Sequence, residues 1–130
     1  MASPEAWMRA AIEASAGCMA YPQVVPESAA VPFVVYARTG TTRENIGVPG
    51  VTISPVGTFG VEIYADTYSQ ARTLSDSVRT ALANFNGTAS GATISSVLLA
   101  DERDGDPVFF NGQDKPTYMI EHTYQIRWSE

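Results

Sequence analysis

The chain is poor in the residues that most often carry chemistry. Among its 130 residues there is one cysteine, Cys18, and one histidine, His122. A lone cysteine excludes a disulfide framework within the chain. One Cys and one His, 104 positions apart, do not make a zinc site. Lysine is also down to one, Lys115, and the eight Lys and Arg residues are scattered against fourteen Asp and Glu, for a net charge of −6. A groove that grips nucleic-acid phosphate needs clustered cations, so ordinary nucleic-acid binding is not expected. There is no continuous apolar run at the start: "MASPEAWMRAAIEASAG" carries charge within its apolar pattern and reads neither as a signal peptide nor as a membrane span.

What is present reads as one ordinary globular domain spanning 1–130, with 45% apolar and 17% charged residues. A chain of this length buries roughly two thirds of its unfolded surface and needs no metal or disulfide to fold. Ser3-Pro4-Glu5 reads as a helix start, with Ser3 as cap. Trp7, Ala10, Ala11 and Ala14 then follow helical spacing, Arg9 and Glu13 form an i,i+4 pair, and Gly17 is a stop. The expectation is a helix over 4–16. Three prolines, Pro22, Pro26 and Pro32, make the next stretch an extended connector, with a turn at Glu27 to Ala30. "FVVYAR" (33–38) is a buried-type strand. Residues 39–58 are rich in Gly and Pro and read as a long loop, or as a long β-hairpin arm, with Val51 to Ile53 as a possible short strand.

"FGVEIYAD" (59–66) alternates. Phe59, Val61, Ile63 and Ala65 take one face, and Glu62, Tyr64 and Asp66 the other. Thr67 fits a helix N-cap with Gln70 as capping-box partner. Ala71, Leu74, Val78, Ala81, Leu82 and Phe85 form the apolar stripe, and Asn86-Gly87 closes the helix. "ATISSVLLAD" (92–101) is a third strand, followed by a turn-rich segment with Asp104-Gly105 and Asn111-Gly112. "TYMIEHTYQIRW" (117–128) is the clearest strand. It sets Tyr118, Ile120, His122, Tyr124, Ile126 and Trp128 against Met119, Glu121, Thr123, Gln125 and Arg127. The order α–β–β–α–β–β predicts an α+β fold: a mainly antiparallel four-stranded sheet, two helices packed on one face, and a second face left to water or a partner.

No catalytic set emerges. Asp101, Glu102, Asp104 and Asp106 resemble a loose calcium loop but lack the spaced glycine and the bidentate Glu of an EF-hand. His122 sits among aromatics on an apolar strand face and reads as a satisfied half-buried histidine. No serine lies in a Gly-x-Ser-x-Gly elbow, and "GVPGVTISPVG" has no lysine or following helix to make a phosphate cradle. Cys18 follows a helix C-terminus, which raises a thiol pKa. Glu62 and Asp66, four apart on a strand, lie on the order of 13 Å apart. That exceeds the roughly 6.5–9.5 Å of an inverting carboxylate pair. No cofactor is expected.

The arrangement carries more than the single motifs. "YPQVVPESAAVPFVVYART", then a variable loop, then "VEIYADTYSQARTLSDSVRTAL", "LLADERD" and "YMIEHTYQIRW" resemble the tail-completion, or tail-terminator, proteins of long-tailed phages. The likeness runs from about residue 4 to 128; one departure is "DGDPVFFNGQDKP", longer than the usual turn. The resemblance implies a virion protein without an active site, assembled in the host cytoplasm. It forms a homo-oligomeric ring, typically a hexamer, at the head-proximal end of the tail tube. There it ends tube polymerisation and docks the head connector or stopper, while DNA passes through without specific binding and no membrane takes part. Arg43, Glu44, Phe109 and Phe110 are the candidate interface residues. Glu62 and Glu121 are candidates for the lumen or open sheet face. The acidic balance suits a DNA conduit, because carboxylates repel phosphate. Two other classes compete: a small acid–base enzyme using Glu62 with Glu121 or His122, and a ligand-binding regulatory domain with a closed apolar pocket and a small dimer.

Overall fold

The computed structural model describes residues 4–26, 30–43, 55–89, 91–109 and 115–129. The Ser3 cap, the turn at Glu27, the short strand at Val51 to Ile53, Glu44, Phe110 and Asn111-Gly112 lie outside the described residues.

Helix α1 spans Pro4–Ala16 and ends where Gly17 turns to φ 70°, a conformation that costs glycine nothing. Its buried side chains are Pro4, Trp7, Met8 and Ile12. Ala10 and Ala14, expected on that stripe, are exposed. The larger Met8 and Ile12 bury more apolar area, so they set the helix rotation. Two short strands form where the sequence predicts connector or turn: β1 (Met19–Pro22) and β4 (Gly87–Ala89). The others are β2 (Phe33–Thr42), β3 (Val56–Ala65), helix α2 (Tyr68–Leu82), β5 (Ala92–Asp104) and β6 (Tyr118–Ser129).

The fold is α+β, but the sheet is not the four-stranded antiparallel one expected. Among the described residues it has six strands in the order β1-β2-β3-β6-β5-β4. It is curled into a half-barrel, and it is mixed because β1 pairs parallel to β2 while every other neighbour is antiparallel. β2 and β5 each run long and expose backbone groups on their outer sides, and β1 and β4 satisfy part of each. Register shifts after Arg38 in β2 and after Ile94 and Leu99 in β5 add local twist and help the sheet curl.

The hairpin alternative for 39–58 holds at its base, where β2 and β3 stay paired out to Thr42 and Val56. β5 also runs through Glu102 and Arg103 to Asp104, residues expected in a turn.

Both helices cover one face. Phe59, Val61, Ile63 and Ala65 of β3 and Ile120, Tyr124, Ile126 and Trp128 of β6 meet Ala71, Leu74, Val78 and Leu82 of α2, all buried. Thr67 caps α2, its Oγ1 accepting from Gln70 N–H at 3.1 Å. The helix stops earlier than Asn86-Gly87. Asn84 takes the positive φ of 63° and donates its N–H to Val97 O at 3.0 Å, which steers the chain into β4. Phe85 therefore leaves the helical stripe and stacks on Trp7, with ring centroids 4.8 Å apart. Arg38 clamps the sheet's edge to α1: its Nε donates to Glu5 Oε1 at 3.1 Å, and its guanidinium lies 4.8 Å from the Trp128 ring centroid.

Candidate functional site

The sheet separates the polar residues into two groups that share no surface.

On the open face, the register sets Glu62 of β3 directly opposite Glu121 of β6. Like charges in that relation repel. Glu121 has a cation: Arg103 Nε donates to its Oε2 at 2.9 Å, and the same guanidinium reaches Asp101 at 3.8 Å. Burial first, and then the Glu121 charge, raise the Glu62 carboxyl above the usual carboxylate value, against a hydrogen bond with Tyr64. Burial and both carboxylates push the Tyr64 phenol up to about 12. Around them lies a solvent-open groove of about 310 Å³, lined in part by Val35, Ala37, Gly60 and Thr123.

On the helix face, α2 and the sheet share a buried polar network. Ser75 Oγ lies 2.7 Å from His122 Nε2 and donates to Glu102 Oε1 at 3.2 Å. His122 Nδ1 lies 2.7 Å from the Tyr124 hydroxyl. Burial raises the Tyr124 pKa well above its ordinary value, so the phenol keeps its proton. Ser75 gives its proton to Glu102, and Nε2 also lies 3.1 Å from Glu102 Oε1, so the contacts favour the ring proton on Nε2, with Nδ1 accepting from the Tyr124 hydroxyl. Burial lowers the His122 pKa, which favours the neutral imidazole; Arg79 and Arg72 push the same way, and Glu102 opposes them. Arg79 and Arg72 reach Glu102 at 3.5 and 3.9 Å.

Ser75 and His122 are 0% and 1% exposed. A nucleophile must meet its substrate, so this Ser–His pair serves as a latch between α2 and β6. His122 is satisfied, as expected, though fully rather than half buried. Sequence reasoning missed Ser75, and a signal existed: it stands at i+4 from Ala71 and i−3 from Val78, in a core position of the helix.

The acid–base pairs suggested by sequence divide accordingly. Glu62 and Glu121 come together, while His122 points to the opposite side of the sheet. The Asp101–Asp106 cluster is also split: Asp101 and Arg103 flank the open face, while Glu102 and Asp104 face α2. There Asp104 accepts from Tyr68 OH at 2.9 Å and meets Arg72 at 3.3 Å. Among the described residues no three His, Cys, Asp or Glu gather as a metal site. Nor, among the described residues, is any helix long and apolar enough to cross a membrane. Arg43 is exposed just after β2. Phe109 is 62% exposed, next to the Val108–Thr117 bridge that prolongs the β5–β6 hairpin.

No family model matches the chain, and no curated protein matches it. Among solved structures it is similar to a chain described as "Virion of native gene transfer agent (GTA) particle". The TM-score is 0.63 at 15% identity, covering 92% of this chain and 84% of that chain. At that identity the likeness is one of fold.

Proposed function

We propose that the chain is a structural protein of a phage-like virion, and within that class a tail terminator. In this reading it forms a ring, typically a hexamer, at the head-proximal end of the tail tube, ends tube growth and joins the head connector or stopper. The observation that carries the reading is the fold likeness to a virion chain over 92% of the sequence. The motif order resembles the same class independently. A latch buried beneath α2, with the carboxylate pair on the other face, supports a scaffold rather than an enzyme.

In this reading Arg43 and Phe109 are interface residues, and Glu62, Glu121 and Asp101 are the acidic candidates for a DNA-facing lumen. The test adds the purified protein to polymerising tube protein and measures tube length by electron microscopy, with native mass for the ring. Tubes of unaltered length would reject terminator function. A conduit also should not hold its cargo. Binding to duplex DNA is expected to be negligible at about 0.15 M salt, where charges still act over roughly 8 Å. Tight, salt-sensitive binding in an anisotropy assay would replace the conduit with a gripping role.

A further inference from the structure

Among the described residues, Glu62 is the half-buried carboxylate without a cation. Glu121 opposite it has Arg103, and the hydrogen bond from the Tyr64 hydroxyl brings no charge. Asp66 and Asp106 also lack a cation among the described residues, but both are exposed, and a carboxylate open to water gains little from one. Glu62, partly withdrawn from water and facing a like charge, gains more.

The groove above Glu62, of about 310 Å³, has the shape for a long side chain. Register sets Val35, Glu62 and Glu121 in one row across the open face and Ala37, Gly60 and Thr123 in the next. Gly60 leaves the middle of that second row without a side chain, and a Cβ there would meet only Thr39 Cγ2, at 3.8 Å. A chain of methylenes can lie over Gly60, between Ala37 and Thr123, and carry a terminal charge to Glu62. That division into apolar stem and charged head is a lysine's.

The chain's cations leave one candidate. Arg9, Arg38, Arg72, Arg79 and Arg103 are all ion-paired, and Arg43 and Arg127 are engaged as well. Lys115 alone has no partner among the described residues. It is exposed and stands at the end of the β5–β6 hairpin, beyond the Val108–Thr117 bridge and near the exposed Phe109. It does not reach the groove of its own copy: Thr117 lies about 13 Å along the strand from Glu121, and Lys115 is two residues further out. We infer that the groove over Glu62 in one copy takes Lys115 of the next, a head-to-tail contact between copies of this chain. Each copy offers one groove and one lysine, so the contact repeats and closes into a ring when the rotation allows. The contact deepens the ring reading above and rests on it for closure; a filled groove also withdraws Glu62 from the lumen.

The test uses a water-soluble carbodiimide, which joins an amine to a carboxylate in contact with it, and Lys115 is the chain's only lysine. Unlabelled and isotope-labelled full-length chains are mixed, treated and digested, and the joined peptides are read by mass spectrometry. The expected product is a mixed-isotope pair linking Lys115 to Glu62. Lys115→Arg is expected to lose the link and keep the ring by native mass, whereas Lys115→Glu, with folding checked by circular dichroism, loses the ring. A link to Glu62 confined to single-isotope pairs would be a contact within one copy and would overturn the inference. A ring by native mass with Lys115 unlinked, or linked to another carboxylate, would overturn this contact and leave the ring reading standing. Absence of both link and ring would remove both.

Discussion

Ser75 of α2 and His122 of β6 stand 47 residues apart in sequence and 2.7 Å apart in space, both buried. Their contact fastens the central helix to the centre of the sheet. Ser75→Ala takes one partner from Nε2 and from Glu102. The loss expected for a buried hydrogen-bonding group is about 1–3 kcal/mol, read as a lower denaturant midpoint. An unchanged midpoint would show that the latch contributes nothing.

The same network gives a pH dependence of definite sign. His122 is held below its ordinary pKa, chiefly by burial, whereas the unfolded chain titrates near 6.5. Below that value the unfolded state binds the proton first, so stability is full above about pH 6.5 and declines as pH falls toward the lowered folded value. Denaturant midpoints at about pH 7.5 and about pH 5.5 are expected to differ in that direction, and the difference to shrink in His122→Gln. The same slope in the variant would assign the effect to other groups.

Glu62 behaves oppositely. Its folded pKa is raised, so the charged form is disfavoured in the fold and stability gains as pH falls through the folded value toward the unfolded one. Glu62→Gln removes the cross-strand repulsion with Glu121. A gain of a few tenths of a kcal/mol at neutral pH is expected from cross-strand pair energies, disappearing in acid. Destabilisation at neutral pH would mean that the Tyr64 hydrogen bond to Glu62 outweighs the repulsion.

Gly57 marks a close approach between β3 and the C-terminal aromatic. A Cβ there would lie 2.7 Å from Phe59 Cε2 and 2.9 Å from Trp128 Cζ3. Gly57→Ala is expected to cost about 1–3 kcal/mol through overpacking, with a lower melting temperature. Full tolerance would show that the two rings can move apart.

Thr67→Ala deletes the oxygen that accepts Gln70 N–H. The expected loss is about 1 kcal/mol. Equal midpoints for variant and parent would exclude the cap as a source of stability.

Sequence by itself determined the elements whose signals are local. The span of α1, the Thr67 cap, and the alternation through Phe59–Ala65 and Ile120–Trp128 all follow from periodicity and capping chemistry within a few residues. The tertiary structure decided what depends on distant partners. β1 contains Pro22 and β4 begins at Gly87, so neither announces a strand; each forms because a longer neighbour presents unpaired backbone. Ser75 and Glu102 become a latch only when α2 lies across β5 and β6. Glu62 faces Glu121 only because the β3–β6 register puts them opposite, and a slip of one residue would turn one strand's carboxylate to the other side of the sheet. Local chemistry sets the period of each segment, and long-range pairing sets which residues then meet.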